Sequence, residues 1–142
     1  MHDMGAAMQG GIGGHAGLFS NSNDVAKIMQ MYLQEGYYGS KRFFSSSTIN
    51  NFNTCYYCDD GNRRGLGFDK PQLDESSATC GCVPMSSFGH SGFTGTYAWV
   101  DPKNKIVYVF LSNRTYPTME NKMLSTYNIR TEVQRIIYES FN

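Results

Sequence analysis

A histidine, a serine and a glycine stand side by side at His90-Ser91-Gly92, in a part of the chain where a strand is predicted. Gly89 precedes them and Gly95 follows, and glycine in a strand often marks close approach by a ligand or another backbone. The alternative is a strand histidine satisfied by a neighbouring group, with the glycines forming a bulge. The pattern alone leaves both interpretations open.

The other two histidines are weaker candidates. His2 lies at the terminus of the chain, where a flexible surface position is expected. His15 lies in a glycine-rich loop, where a structural hydrogen bond to the backbone is expected. A functional site is therefore predicted around His90 rather than around either of these residues.

The four cysteines lie in residues 53–86, a stretch without periodicity that predicts a long irregular excursion. They form the close pairs Cys55/Cys58 and Cys80/Cys82, which suit two disulfides or one four-thiolate zinc site. Two disulfides are favoured, because a Cys-x-Cys spacing is tighter than the spacers of most zinc sites. A catalytic dithiol would need Cys55 at the start of a helix, and the surrounding turn residues oppose this. Which cysteines pair stays open.

Several nucleotide-binding and hydrolase motifs are missing. No Walker-type phosphate loop is present, and residues 11–16 fit a dinucleotide fingerprint without room for the strand that must precede it. The nucleophile elbow G-x-S-x-G is also absent, since residues 89–93 place the second glycine one position early. No cofactor is expected.

Composition excludes further classes of function. The 142 residues carry 12 basic and 12 acidic side chains, so no net field attracts nucleic acid or an anionic membrane. The longest apolar run, residues 106–111, is far shorter than a bilayer span, and residues 1–4 do not resemble a signal peptide. We expect one globular domain over residues 1–142, without a membrane span or a nucleic-acid partner.

The N-terminal half predicts a loop followed by helices. Glycine density over residues 1–17 predicts a loop. A helix is predicted to begin at a cap formed by Ser22 or Asn23 and to end by Gly36, because apolar residues recur with helical spacing between them. Residues 45–52 predict a second, short helix that begins with a serine cap.

The C-terminal half predicts a sheet. Residues 87–92, 96–100 and 105–112 are rich in aromatic and β-branched residues and predict three strands. A proline turn at 101–104 should join the last two as an antiparallel pair. The third strand is so apolar that helices should cover both faces, and residues 129–141 have helical spacing. The predicted fold class is α/β (α+β), with an antiparallel sheet flanked by helices.

Seven short motifs follow one another, and their order is more informative than any one alone. They are His2-Asp3, 14–20 (GHAGLFS), 23–27 (NDVAK), 64–68 (RGLGF), 89–96 (GHSGFTGT), 100–102 (VDP) and 111–114 (LSNR). This order resembles the C-terminal part of the serine β-lactamase-related family, which includes penicillin-binding proteins, class C β-lactamases and related esterases. The likeness is greatest to the modules appended to glycoside hydrolase family 3 domains in secreted bacterial proteins.

The resemblance implies a five-stranded antiparallel sheet and a serine nucleophile in an S-x-x-K motif. A Tyr-x-Asn or Ser-x-Asn element and a Lys/His-Thr/Ser-Gly triplet complete such a site, and His90-Ser91-Gly92 matches the triplet. By analogy, His90 supplies a donor or partial positive charge, and Ser91 hydrogen-bonds a substrate carboxylate or carbonyl. Gly92 lets the substrate lie flat along the strand, and the backbone N–H of Phe93 forms half of an oxyanion hole.

The departures from the family pattern bear on activity. None of the six lysines has a serine three residues before it, and no Tyr-x-Asn occurs. Without an activated nucleophile the acyl-enzyme route cannot run. We therefore expect a C-terminal segment of a longer periplasmic or secreted serine hydrolase, with the S-x-x-K part missing, that is inactive alone. We also expect the isolated chain to self-associate through exposed apolar surface.

The substrate of such a parent protein would be a small-molecule or peptidoglycan-like amide or ester. Histidine in place of lysine removes the permanent cation that would pair with a β-lactam carboxylate, so an ester or peptide fits at least as well. Two alternatives stay open. One is a non-catalytic binding or scaffolding module, and the other is a zinc module built on Cys55, Cys58, Cys80 and Cys82.

Overall fold

A computed structural model describes residues 4–14, 16–72 and 78–141 of the chain. The described residues form helices α1 (Met4–Met8), α2 (Ser22–Leu33), α3 (Ser46–Asn53), α4 (Met123–Thr126) and α5 (Ile129–Glu139). Their strands are β1 (Tyr37–Tyr38), β2 (Lys41–Arg42), β3 (Phe88–Ser91), β4 (Tyr97–Asp101) and β5 (Ile106–Phe110). Helices with small antiparallel sheets confirm the predicted α+β class.

The three-stranded sheet forms where the sequence pattern predicted strands. Strand β4 lies in the middle and pairs antiparallel with β3 on one side and β5 on the other. The turn from β4 to β5 is held by Asp101, whose Oδ1 accepts the N–H groups of Lys103 and Asn104 at 2.9 and 3.1 Å. An Asp that bonds the backbone ahead of it stabilises such turns. The three strands and the antiparallel hairpin are confirmed, with ends shifted by one or two residues.

Alternating side chains along β4 point to two different helices. The cluster between the sheet and α5 consists of Val83, Tyr97, Trp99, Tyr108 and Tyr138. The cluster between the sheet and α2 consists of Met29, Phe88 and Val100. Because β-strand side chains alternate between faces, these two clusters confirm the prediction that helices cover both sides of the sheet.

The main helices begin and end with local signals. Asn21, rather than the predicted Ser22 or Asn23, caps α2 through its side chain, which accepts the N–H of Asp24 at 3.0 Å. Gly36, with a φ of +94°, follows the helix, and its N–H donates to the carbonyl of Met31. The predicted Ser45 cap of α3 is confirmed by a 3.1 Å bond from the N–H of Thr48. Helix boundaries commonly differ by a residue or two from sequence expectations.

The structure corrects two sequence expectations. Residues 1–17 were predicted to be a loop, but α1 forms within them, because Ala6 and Ala7 favour a helix that ends where the N–H of Gly11 donates to the carbonyl of Ala6. The β1–β2 hairpin was not predicted at all. Its strands have only two residues each, too few to show an alternating pattern.

The resemblance implied a five-stranded sheet, whereas the described residues place three strands in one sheet and two in a separate hairpin. Residues of the irregular stretch return to the sheet at one point, where Asp69 forms a bridge with Gly89. No helix in the described part of the chain is long and apolar enough to cross a membrane.

Candidate active site

The four predicted site residues lie together at the C-terminal end of the edge strand β3. Phe88, at the start of the strand, is 3% exposed and packs against α2. The strand then runs outward, so the side chain of His90 is 49% exposed and Ser91 is half-buried. Gly92 and Phe93 are exposed and begin the turn to β4. A substrate can therefore reach all four residues from solvent.

The imidazole of His90 lies between two oxygen atoms. Its Nδ1 is 2.7 Å from the carbonyl oxygen of Ser91. Because a carbonyl oxygen only accepts hydrogen bonds, Nδ1 is the donor. On the other side of the ring, Nε2 is 3.9 Å from Oδ2 of Asp69. His90 thus has the hydrogen-bond partner expected of a histidine with a purely structural role. Half of its side chain nevertheless faces solvent.

Asp69 reaches this position from the irregular stretch. Its N–H donates to the carbonyl of Gly89 at 2.8 Å, and its carbonyl accepts the N–H of Gly89 at 3.1 Å. Its Oδ1 accepts a hydrogen bond from Nε of Arg64 at 2.7 Å. The loop between Arg64 and Asp69 is closed by a 2.8 Å bond from the N–H of Gly65 to the carbonyl of Phe68. Asp69 therefore pairs with β3 one residue before the predicted site begins.

Gly92 lies close to a threonine side chain in the turn. A Cβ at this position would lie 2.2 Å from Oγ1 of Thr96, so the Thr96 side chain would have to rotate to make room. The N–H of Gly92 donates to the carbonyl of Thr96, and the N–H of Gly95 donates to the carbonyl of Gly92. The glycine that was predicted to let a substrate lie flat thus lies at one end of this hydrogen-bonded turn.

The backbone of Phe93 has one group engaged and one group free. Its carbonyl accepts Nε of Arg114 at 2.8 Å, and the Arg114 guanidinium lies 4.7 Å from the centre of the Phe93 ring. Among the residues that the structure describes, no acceptor is bonded to the N–H of Phe93. A fixed carbonyl and a free N–H are the arrangement that a backbone oxyanion donor requires.

A pocket of about 240 Å³ opens beside these residues. Its two charged lining residues are Arg114 and Arg130, from the segment after β5 and from α5. Arg130 also donates to the carbonyl of Thr96 and lies 5.4 Å from the centre of the Tyr97 ring. The remaining lining residues are Ser91, Gly92, Phe93, Gly95, Leu124 and Ser125. Two guanidinium groups with serine hydroxyls suit a carboxylate or another anion.

Sequence reasoning missed Asp69 and Arg130 and assigned no role to Arg114. Arg114 belongs to the LSNR motif and Asp69 directly follows the RGLGF motif, so motif positions were the available signal. Nothing comparable marks Arg130 within the helical pattern of α5. Its proximity to the site depends on how α5 packs across the sheet.

A second, apolar pocket of about 400 Å³ lies behind the Arg64–Asp69 loop. Its lining residues are Tyr32, Phe44, Thr48, Ile49, Phe52, Asn53, Gly67 and Phe68. The side-chain oxygen of Asn53 is buried without a hydrogen bond among the described residues. None of the described residues that line this pocket is charged, so they offer apolar contact rather than acid–base chemistry.

Lys70 lies next to Asp69 but points elsewhere. Its Nζ donates to the carbonyl of Ser86 at 3.2 Å and lies 5.5 Å from the centre of the Phe88 ring. Burial and, to a smaller extent, the charge of the nearby Arg63 together lower the pKa of Lys70 from 10.5 to about 8. Keeping the Lys70 ammonium charged at the edge of the core therefore costs free energy in the folded state.

The four cysteines form two disulfides, Cys55–Cys58 and Cys80–Cys82. This agrees with the favoured hypothesis of two disulfides and selects local pairs among the three connectivities. A zinc site built on the four thiolates would need both bonds to be reduced. The described residues contain no cluster of three or more His, Cys, Asp or Glu side chains that could hold a metal ion.

Two of the histidines and one motif cannot be placed. His2, with the His2-Asp3 motif, and His15 lie outside the described residues. Their expected roles as a surface residue and as a partner of the backbone stay predictions.

Comparison with known proteins identifies the family of this chain. Residues 1–131 match the family described as Beta-lactamase. Proteins named "Putative D-alanyl-D-alanine carboxypeptidase" from Escherichia coli O157:H7 and Escherichia coli strain K12 are 39% and 38% identical over 108 residues, which is 75% of this chain and 24% of each relative. A protein of the same name from Salmonella enteritidis PT4 is 36% identical over 113 residues, 79% of this chain and 26% of that relative.

The chain therefore spans about a quarter of the length of these curated relatives. The family match covers the described sheet, helix α2, the first residues of α5 and the His90–Phe93 segment. It confirms the resemblance that the order of motifs indicated. The chain belongs to the Beta-lactamase family, a family of the serine hydrolase type.

Proposed function

We propose that this chain is the C-terminal segment of a longer serine hydrolase that forms an acyl-enzyme with an amide or ester substrate. The observation that carries the proposal is the position of His90–Phe93 at an open strand end, beside a pocket with two arginines. The small share of each relative that the chain covers and the missing S-x-x-K motif support a nucleophile located outside these residues.

In this proposal the chain supplies one wall of the active site. A serine hydroxyl from the rest of the parent attacks the substrate carbonyl while an adjacent base takes its proton, and negative charge develops on the carbonyl oxygen. The C–N or C–O bond then breaks, the amine or alcohol leaves with a proton, and water hydrolyses the acyl-serine ester. The N–H of Phe93 donates to that oxygen, which is worth roughly 3 kcal/mol in the transition state. His90 and Ser91 face the substrate from the edge of β3 and orient it along the strand.

The arginine pocket favours an anionic substrate. Arg114 and Arg130 lie next to Ser91, so a substrate carboxylate placed there would meet two guanidinium groups and a hydroxyl. A peptide that ends in a free carboxylate has this chemistry, and the names of the relatives specify a D-alanyl-D-alanine carboxypeptidase. We therefore propose a carboxylate-terminated, peptidoglycan-like peptide as the substrate of the parent. A periplasmic or secreted location fits both this substrate and the two disulfides.

The test combines the chain with the segment that carries the S-x-x-K serine. The chain alone should neither hydrolyse nitrocefin, a p-nitrophenyl ester or a D-Ala-D-Ala peptide nor be labelled by fluorescent penicillin. Addition of the missing segment should restore hydrolysis, and His90→Ala should then lower kcat/KM roughly 100-fold. Lys103→Ala, in the exposed β4–β5 turn, is the matched control and should leave the rate unchanged.

The alternatives give different results. Turnover by the chain alone would contradict the proposal, because a nucleophile would then lie within these residues. Hydrolysis that is restored but unaffected by His90→Ala would remove His90 from the site. A reconstituted protein without activity would favour the non-catalytic binding module, which the absent nucleophile motif also permits. Stoichiometric zinc with four free thiols would favour the zinc module.

A further inference from the structure

We propose that Asp69 is a positioning residue that fixes the imidazole of His90 at the edge of β3, and that Arg64 secures Asp69 for this purpose. The inference rests on the proposed function, since it assigns His90 to the active site. It adds a residue outside the triplet, from a part of the chain that has no regular secondary structure.

The backbone of Asp69 is hydrogen-bonded to the strand that carries His90. Both of its backbone groups bond to Gly89, at 2.8 and 3.1 Å. Since Gly89 directly precedes His90, this pair of hydrogen bonds keeps the backbone of Asp69 beside the backbone of His90. The carboxylate therefore has a defined place beside the ring.

The side chains of Arg64, Asp69 and His90 lie next to one another in that order. Nε of Arg64 donates to Oδ1 of Asp69 at 2.7 Å, which leaves Oδ2 to face Nε2 of His90 at 3.9 Å. The latter distance is longer than a hydrogen bond, and because Nδ1 carries a proton, Asp69 attracts the ring only when Nε2 is protonated as well. The opposite ring nitrogen is held by the carbonyl of Ser91 at 2.7 Å. Each ring nitrogen of His90 thus faces an oxygen atom.

Exposure along the three side chains fits a supporting role. The side chain of Asp69 is 24% exposed, compared with 53% for Arg64 and 49% for His90. The carboxylate is the most shielded member, while the imidazole stays open to a substrate. Lys70, the neighbouring cation, bonds to the carbonyl of Ser86 and does not join this group.

A double-mutant cycle in the reconstituted or full-length parent tests whether Asp69 acts through His90. Asp69→Asn keeps the shape of the side chain and an acceptor for Arg64 but removes the charge. It should lower kcat/KM about tenfold alone and less than twofold in a His90→Gln background. Asp69→Glu should recover most of the activity. An equal loss in both backgrounds would overturn the proposal, because Asp69 would then act independently of His90. Asp60→Asn, in an exposed turn, is the charge-matched control.

A second measurement on the 142-residue chain does not depend on hydrolysis. Asp69→Asn should move the imidazole ¹H and ¹⁵N resonances of His90, identified by their loss in His90→Gln, by more than Asp60→Asn does. Trp99 is the sole tryptophan and its ring lies over Gly89, so its fluorescence reports any distortion of β3 and should not change. Unmoved His90 resonances, or a shift accompanied by altered Trp99 emission, would overturn the positioning role. If the parent proves inactive, the proposed function fails and these resonances still decide the role of Asp69.

Discussion

At the scale of single residues, Gly89 shows how closely the site strand packs against its neighbour. A Cβ at Gly89 would lie 2.3 Å from both the carbonyl oxygen of Ala98 and Cε3 of Trp99. Trp99 is 2% exposed and its indole N–H donates to Oγ of Ser87 at 2.9 Å. Burial and this hydrogen bond therefore hold the Trp99 ring in place beside Gly89. The glycine before His90 is required by packing rather than by backbone angles.

Gly89→Ala should consequently lower the free energy of unfolding by about 1–3 kcal/mol, the usual cost of forcing extra volume into a packed core. Urea denaturation followed by Trp99 fluorescence measures this change. Gly67→Ala is the matched control, because a Cβ at Gly67 meets no atom within 4 Å. Equal stability of the two variants would show that the Trp99 ring can shift after all.

Lys70 predicts a specific dependence of stability on pH. Its pKa falls from 10.5 in the unfolded chain to about 8 in the folded one. Between these values the unfolded state binds more protons, so the free energy of unfolding should rise as pH increases from about 8 towards 10. Below pH 8 the cost of the buried ammonium is present in full.

Lys70→Met should flatten this rise and stabilise the protein more at pH 7.5 than at pH 9.5, where part of the cost remains because the Lys70 pKa in the unfolded chain is 10.5. Chemical denaturation at both pH values measures the effect, and Lys103→Met in the exposed turn serves as the control. The comparison stops below pH 10 because burial raises the pKa values of Tyr97 and Tyr138, whose ionisation destabilises the folded state at higher pH. A parallel pH dependence in both variants would contradict the assignment to Lys70.

At the scale of elements, one hydrogen bond joins α5 to the central strand. The hydroxyl of Tyr138 donates to Oδ2 of Asp101 at 2.6 Å, and both residues are buried. Asp101 also accepts the backbone N–H groups of Lys103 and Asn104, so one carboxylate connects the β4–β5 turn with the last helix. Because α5 also carries Arg130, this bond helps to place a residue of the candidate site.

Tyr138→Phe should lower the free energy of unfolding by about 1.5–3 kcal/mol, because it removes a buried hydrogen bond to a charged group. The measurement is again urea denaturation. Tyr127→Phe, whose hydroxyl belongs to a side chain that is 63% exposed, should change stability by less than 0.5 kcal/mol. If both variants lose the same amount, the bond between Tyr138 and Asp101 contributes nothing specific.

At the scale of the whole molecule, much apolar surface is left uncovered. Phe43, Phe44 and Phe52 are about half exposed, and Leu66 is 61% exposed. Phe44 and Phe52 also line the apolar pocket behind the Arg64–Asp69 loop. Exposed apolar surface of this kind promotes association between protein chains. In the longer protein proposed above, residues outside this chain would cover it.

The isolated chain should therefore form dimers or larger species, which light scattering at increasing concentration detects. Phe52→Lys should shift the distribution towards monomer, because it places a charge in the apolar pocket. Ile136→Lys changes a residue that is 58% exposed on α5 and serves as the control. A monodisperse monomer at every concentration would contradict this prediction.

Local patterns in the sequence were enough to predict much of the fold and part of the site. Strands β3 to β5, their antiparallel pairing and helices α2, α3 and α5 each have a periodic pattern or a turn signal within a few residues. The order of motifs also identified the family, and it gave the segment His90–Phe93 as the candidate site. These features depend on side chains that lie close together along the chain, so they can be read without knowing the fold.

Long-range contacts decided the rest. Asp69 reaches Gly89 from an aperiodic stretch, and Arg114 and Arg130 line one pocket although a strand-to-helix segment separates them. The same applies to the bond between Tyr138 and Asp101, which are 37 residues apart. Such contacts arise from the packing of β3, β4 and α5 against one another, and no short stretch of sequence contains that information. Residue types near the strand end therefore gave the candidate site, whereas tertiary packing decided which distant residues lie beside it.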